Sequence, residues 1–401
     1  MADVQPLRAL HYDLEVVGSL NAVCSPPYDV IDPQQRAALA ARSPHNVVGI
    51  DLPEPATPGG DPYAHAAELL ARWQADGAIV RDEAPALWVL TQEYTGPDGA
   101  RRTRSGFFAR VGVTGYGPGR IRPHERTHPG PKEDRLRLTR ATRTNLSPIF
   151  SLYDDPSGAA WGALEPVTRT PPYGALEDED GTVSRLWRVA DPATIDAVRS
   201  ALDPAELLIA DGHHRYETAR VYAEEIGGEG EHRHVLQYLV SLEDPGLTVF
   251  PTHRLVDGLA DVAQLAPPDG EGPLQLGYID AHLQRPFRLT LKDQAIADRA
   301  LADFPEPYRR LDTAVLEALI LTGPLGLSED DISHFHGLGY SRSDAEALEL
   351  IRSGTYDAAF FLRGTPVSQI REIAAAGVNM PPKSTFFTPK VPTGLLFNPL
   401  S

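Results

Sequence analysis

Cysteine is nearly absent. Cys24 is the one thiol in 401 residues, which excludes an internal disulfide and any zinc or iron–sulfur site built from several thiolates. Long apolar runs are missing as well. No stretch approaches the ~18 residues of a membrane-spanning helix, and the opening MADVQPLRAL lacks the basic-then-apolar order of a secretion signal. A cytoplasmic protein without a membrane partner is the expectation. Positive charge is in deficit, 37 Lys and Arg against 55 Asp and Glu, for a formal net charge of −18. Such a surface repels nucleic acid and anionic lipid, so no polynucleotide partner is expected. Several catalytic fingerprints are also absent: the Walker A loop G-x-x-x-x-G-K-[ST], the dinucleotide loop G-x-G-x-x-G, the nucleophile elbow G-x-S-x-G and the zinc helix H-E-x-x-H.

What is present is a chain long enough for two or three domains with large cores. Its 37 prolines and 34 glycines predict tight, rigid connections. Periodicity predicts a helix over 62–77 and strands over 86–95 and 103–113 around the turn Gly96-Pro97-Asp98-Gly99. Further strands are expected at 145–154, 184–189, 234–244 and 248–256, with a helix near 192–202. The last third alternates helices near 312–322, 343–352 and 366–376 with a strand at 358–362. The expectation is an α/β fold of mixed α+β character. It divides into a mixed N-terminal region (1–115), a catalytic core with a basic loop (116–260) and a C-terminal α/β region (261–401).

The most informative segment is 207–226, LLIADGHHRYETARVYAEEI. Leu207 to Ala210 read as the end of a buried strand, Asp211-Gly212 as a turn, and the rest as a helix. The first helical turn then carries His213, His214 and Arg215 where amide hydrogens and the helix dipole favour an anion. This reads as a phosphate cradle, with Asp211 free to hold a metal or a proton. The plainer alternative is that Asp211 caps the helix and the histidines lie on the surface.

A second feature is charge reversal. Residues 120–143, RIRPHERTHPGPKEDRLRLTRATR, hold eight Lys or Arg and three Asp or Glu, a local +5. Prolines 123, 129 and 131 predict a loop in the first half, with a helix from Lys132 to Arg143. His124, Glu125, Arg126, Lys132 and Arg135 are candidates for a small polyanionic ligand, and the carboxylate of Glu125 for a base or metal ligand. The alternative is a set of structural ion pairs. Other rigid polar stretches are Tyr28-Asp29 behind two prolines, His253-Arg254 at a strand end, and Lys383-Ser384-Thr385 with Lys390.

Six ordered segments together resemble one bacterial family, domain of unknown function 1015 (DUF1015). They are SPPYDVI (25–31), RPHERTHPGPKEDRL (122–136), NLSPIFSLYDD (145–155), IADGHHRYETA (209–219), PTHRLV (251–256) and MPPKSTFFTPK (380–390). The block IADGHHRYETA is also similar to the signature of the ParB/sulfiredoxin-like superfamily, in the form found in free-serine kinases. That resemblance implies a ParB/sulfiredoxin-like core with N- and C-terminal elaborations. It further implies a phosphoryl transfer from pyrophosphate or a nucleotide to a small hydroxyl acceptor, best exemplified by free L-serine, with Mg2+ as cofactor. By it, Asp211, His213, His214 and Arg215 grip phosphate and metal, Asp211 being the metal ligand. An upstream glutamate acts as general base, and Glu125 is assigned to that role from its setting. Tyr28, Asp29, His124, Arg126, Lys132, Arg135, His253, Arg254, Lys383, Ser384 and Thr385 are the expected phosphate and substrate contacts. Two alternatives stay open: a non-catalytic nucleotide-binding regulator, and a metal-dependent hydrolase using His213, His214 and His253. A DNA-associated regulator is disfavoured by the charge.

Overall fold

A computed structural model describes residues 2–125, 129–258, 274–334 and 336–401. The chain is mixed α/β, as expected, and gathers into two compact units. The first takes in residues 1–123, 127–247 and 389–401; the second takes in 124–126 and 248–388.

The first unit is built on a nine-stranded mixed sheet. Its strands are β1 (Val4–Gln5), β2 (Leu87–Thr95), β3 (Arg101–Gly112), β4 (Ile121–Arg122), β5 (Ile149–Tyr153), β6 (Gly174–Glu177), β7 (Val183–Val189), β8 (Leu207–Asp211) and β9 (His234–Ser241). They run in the order β4-β8-β5-β9-β3-β2-β7-β6, with β1 beside the far end of β3. The pairs β4–β8 and β5–β9 are parallel and the remainder antiparallel. The principal helices are α1 (Pro62–Ala75), α2 (Pro129–Thr142), α3 (Ala159–Leu164), α4 (Pro192–Leu202) and α5 (His213–Ile226).

Local chemistry explains most of these elements. The β2–β3 hairpin turns where predicted: Gly99 takes φ +76°, and Asp98 accepts from Ala100 N and from the Arg102 guanidinium. That guanidinium pulls the Asp98 carboxyl down to about 2. Helix α4 begins with Asp191 accepting from Thr194 N at 2.9 Å and Pro192 in the first turn. The sheet's core face carries Phe107, Ala109, Val111, Ile149, Val235 and Leu239, all buried against α3, α4 and α5. Gly106 sits where β3 passes β9 so closely that a Cβ would lie 2.4 Å from the Leu239 oxygen.

Three expectations are corrected. Helix α2 starts at Pro129, not at Lys132. Prolines are tolerated there because first-turn N–H groups have no intrahelical partner to lose. The continuous strand expected from 145 begins at Ile149 instead, since Pro148 cannot donate to a ladder. The expected strand 248–256 is broken into Val249–Phe250 and His253–Val256 at Pro251.

The second unit carries a five-stranded antiparallel sheet. Its strands are β10 (His253–Val256), β11 (Gln275–Asp280), β12 (Phe287–Thr290), β13 (Leu338–Ser341) and β14 (Ala358–Phe361), in the order β12-β11-β14-β10-β13. Helix α6 (Asp344–Arg352) packs Ala347 and Ile351 onto Leu255, Ile279 and Ala359. The helix expected near 312–322 is α-helical over Asp312–Leu316 and continues as a π-helical turn over Glu317–Leu321.

Candidate functional site

The strand–helix junction forms as predicted, but its wiring differs. Leu207 to Ala210 are buried, and the β8–β5 register shifts between Ile209 and Asp211, so that Asp211 faces Phe150. Bulges of this kind re-aim side chains at strand ends. Gly212 follows with φ +95°, a conformation that favours glycine, and a Cβ there would make a tight 3.1 Å contact with the Arg215 guanidinium. Helix α5 starts immediately, with no side chain capping it.

Asp211 is neither an N-cap nor a free carboxylate. Its Oδ2 accepts from Arg215 Nη2 at 2.6 Å, and its Oδ1 from Lys390 Nζ at 2.6 Å. Burial alone would raise this carboxyl. Lys390 first and Arg215 second outweigh it, with His213 adding to them, and hold Asp211 well below the usual carboxylate range. Arg215 also donates from Nη1 to the Pro148 carbonyl. Together Pro148, Phe150, Asp211, Arg215, Pro389 and Lys390 line a crevice too tight to admit a water molecule. His213 is buried and His214 half-buried on the first turn of α5.

Arg215 also borders a cavity of about 40 Å³, lined by Tyr28, Asp51, Arg135, Ser147 and Thr218 together with apolar side chains such as Leu138 and Val235. Asp51 is fully buried there. Arg135 Nη1 donates to its backbone oxygen at 2.7 Å and approaches its carboxylate at 3.2 Å. Ser147 donates to the other carboxylate oxygen at 3.3 Å. Burial dominates and raises the Asp51 carboxyl, against the pull of Arg135 and Arg215. The Arg135 guanidinium lies 4.2 Å from the centre of the Tyr28 ring, a cation–π contact. Burial raises the Tyr28 hydroxyl too, while neighbouring Asp29 is exposed.

Four arginines of the basic segment are engaged by carboxylates, three of them by partners elsewhere in the chain. Arg122 pairs with Glu206, Arg135 with Asp51 and Asp134, Arg137 with Glu133, and Arg140 with Glu225. Arg126 lies outside the described residues, as does the side chain of Lys132.

Several further candidates belong to the second unit. His124 is fully buried; its Nε2 meets Thr385 Oγ1 at 2.9 Å, and its carbonyl accepts from Met380 N. Glu125 is half-buried beside it. Arg254 donates to the carbonyls of Thr252, Pro382 and Lys383 and stacks 4.9 Å from the Tyr340 ring. Ser384 is buried and bonded to Thr313 and Pro381, whereas Lys383 is exposed with φ +56°. His253 Nδ1 accepts from Leu362 N at 3.2 Å while Nε2 meets Asp344 at 2.6 Å. Its lone pair is committed to a backbone amide, and burial lowers its basicity. His253 is thus a strand-to-helix link rather than a proton acceptor.

Sequence alone points to Lys390 only as an adjunct, and gives no sign of Asp51, Ser147, Gln92 or Arg104. The prolines near Lys390 hint at a fixed backbone, but nothing local says which carboxylate it meets. For Mg2+ the residues do not fit: both oxygens of Asp211 accept from cations. Among the described residues no group of three His, Cys, Asp or Glu side chains is placed to hold a metal ion.

Several solved structures resemble this chain. A conserved hypothetical protein from Pyrococcus furiosus is 14% identical with a TM-score of 0.35, covering 68% of this chain and 89% of its own. A free serine kinase in complex with AMP is 14% identical with a TM-score of 0.37, covering 67% and 83%. SbnI with a C-terminal truncation, from Staphylococcus aureus, is 10% identical with a TM-score of 0.36, covering 71% and 84%. No curated protein matches. The family described as Protein of unknown function (DUF1015) matches residues 4–267, about two-thirds of the chain, and the protein belongs to that family.

Proposed function

We propose that this protein is a phosphotransferase with a ParB/sulfiredoxin-like core. It moves a phosphoryl group from pyrophosphate or a nucleotide to the hydroxyl of a small molecule, with free L-serine as the first acceptor to test. The observation that carries the proposal is the pair of cations, Arg215 and Lys390, tethered to one carboxylate at a helix start that no side chain caps. Such a start attracts phosphate through its amides and dipole. Asp211 holds both cations in place before the donor arrives, so little reorganisation remains at the moment of reaction. His213, on the first turn, adds to the field on the transferring group.

In the transfer itself, the acceptor oxygen forms a bond to the donor's terminal phosphorus as the bond to the leaving phosphate breaks. The acceptor's proton passes to a base, and Glu125 is the residue proposed for it. Mg2+ is not assigned to any ligand set of this chain and enters the assay as the donor's counter-ion.

The test is product formation. Purified protein with L-serine, Mg2+ and either pyrophosphate or an adenosine phosphate should yield a phosphomonoester detectable by 31P NMR. Consumption of none of these donors overturns the reading. A nucleotide-binding regulator is the second reading. It is favoured by the full pairing of Asp211, both of whose oxygens already accept from cations, and it predicts calorimetric nucleotide binding without product. The hydrolase alternative lacks support, since the described residues supply no three-donor metal site.

A further inference from the structure

We propose that Arg104, together with Gln92, is a positioning residue that sets the Lys390 ammonium on Asp211. This rests on the reading of Lys390 as a phosphate-binding cation.

Arg104 lies on β3 and is fully buried, an unusual place for a guanidinium. Its Nη2 donates to Gln92 Oε1 at 2.5 Å and to the Pro389 carbonyl at 2.6 Å. Nε and Nη1 have no hydrogen-bond partner among the described residues. The group stacks instead on the Phe150 ring at 4.6 Å and the Tyr238 ring at 5.6 Å. Gln92, also fully buried, donates from Nε2 to the Lys390 carbonyl at 3.1 Å. Two successive carbonyls, 389 and 390, are therefore gripped from β2 and β3.

From that fixed backbone Lys390 reaches Asp211 Oδ1 at 2.6 Å. Phe150, the platform under Arg104, also lines the crevice with Asp211 and Lys390. A core that only needed filling would place an apolar side chain here, since a buried cation with two unmet donors is unfavourable. What Arg104 supplies and an apolar side chain does not is directional bonding to the segment that carries Lys390.

The groups facing Asp211 are Lys390, Arg215 and His213, so its titration reports whether Lys390 is in place. The experiment follows the 13C carboxyl signal of Asp211 through an acid titration of the full chain without donor, the signal being assigned with Asp211→Asn. Lys390→Met gives the full upward shift of the midpoint. Arg104→Met should move the midpoint up by about one unit or more, and Arg104→Lys should restore part of it. With a working donor, kcat/KM should fall about tenfold in Arg104→Met. An unchanged Asp211 midpoint in folded Arg104→Met, when Lys390→Met shifts it, overturns the proposal. If Arg104→Met does not fold, Gln92→Ala releases the Lys390 carbonyl and one acceptor of Arg104, leaves the Arg104 bond to Pro389, and must raise the midpoint by a smaller amount. No phosphoryl transfer in the wild-type protein removes the functional reading but leaves the titration result standing.

Discussion

Each unit holds a buried arginine that binds the Pro-rich segment near the C-terminus through backbone carbonyls. In the first unit Arg104 holds Pro389 and rests on Phe150 and Tyr238. In the second Arg254 holds Pro382 and Lys383 and rests on Tyr340. Both are drawn below ordinary arginine basicity by burial. The two differ in the lysine each one anchors. Beyond Arg104 a lysine is directed to a carboxylate, and the guanidinium keeps two donors unmet. Beyond Arg254 the lysine is exposed, and the guanidinium makes three carbonyl bonds. The same grip is well satisfied where it holds a fold together and poorly satisfied where it serves a candidate site. Residues at functional sites often give up stability in this way.

The comparison can be broken most decisively at its functional end. Arg215→Ala should lower kcat/KM of the proposed transfer by about 10²-fold or more, as loss of a charge-stabilising donor does elsewhere. Its unfolding midpoint in urea should move far less. Equal loss of stability and activity would make Arg215 a structural residue. Next comes a direct contrast of the two arginines. Arg254→Met strands three carbonyls and should cost about 3 kcal/mol. Arg104→Met relieves two unmet donors while losing its two bonds, and should cost roughly 1 kcal/mol or less. Urea unfolding of both variants checks the order, and the reverse order contradicts the contrast.

Acid and base sharpen the picture inside the first unit. Burial lifts the Asp244 carboxyl to about 6, despite bonds from Gly246 N and Ser105 N. A raised carboxyl favours the protonated folded state. Its stabilisation is therefore full below about pH 4 and lost as pH rises through 6, on the order of 2 kcal/mol. Asp244→Asn should remove that slope between pH 4 and 7. Asp211 runs the other way. Held low by Lys390 and Arg215, it contributes stability above the ordinary carboxylate range and loses it as pH falls further. Asp211→Asn should therefore flatten the acid limb of the stability curve. The smallest effect is expected at the surface: breaking the exposed Arg140–Glu225 pair with Glu225→Ala should change stability by about 0.5 kcal/mol or less.

Much of the fold is legible in the sequence because its signals are local. The Gly96–Gly99 turn, the Asp191-Pro192 helix start and the Leu207–Arg215 junction are each specified by neighbouring residues. Other features are hidden for physical reasons. The strands of the second unit at Gln275–Asp280 and Phe287–Thr290 show no clear period-2 pattern in a loop-rich stretch. The basic segment suggests free cations by its composition, yet those arginines find carboxylates on other elements: Glu206, Asp51 and Glu225. Charge counted along a chain says nothing about partners that folding brings across it.

By itself the sequence determined the junction. An apolar strand, a glycine able to take φ +95° and a helix carrying Arg215 follow from steric and hydrogen-bonding rules that act within a few residues. Tertiary structure alone decided what Asp211 does. Its partner Lys390 is 179 residues away along the chain, reaching it from backbone that β2 and β3 hold in place. A carboxylate's role depends on which charges stand within a few ångströms, and that distance is fixed by packing rather than by sequence neighbours.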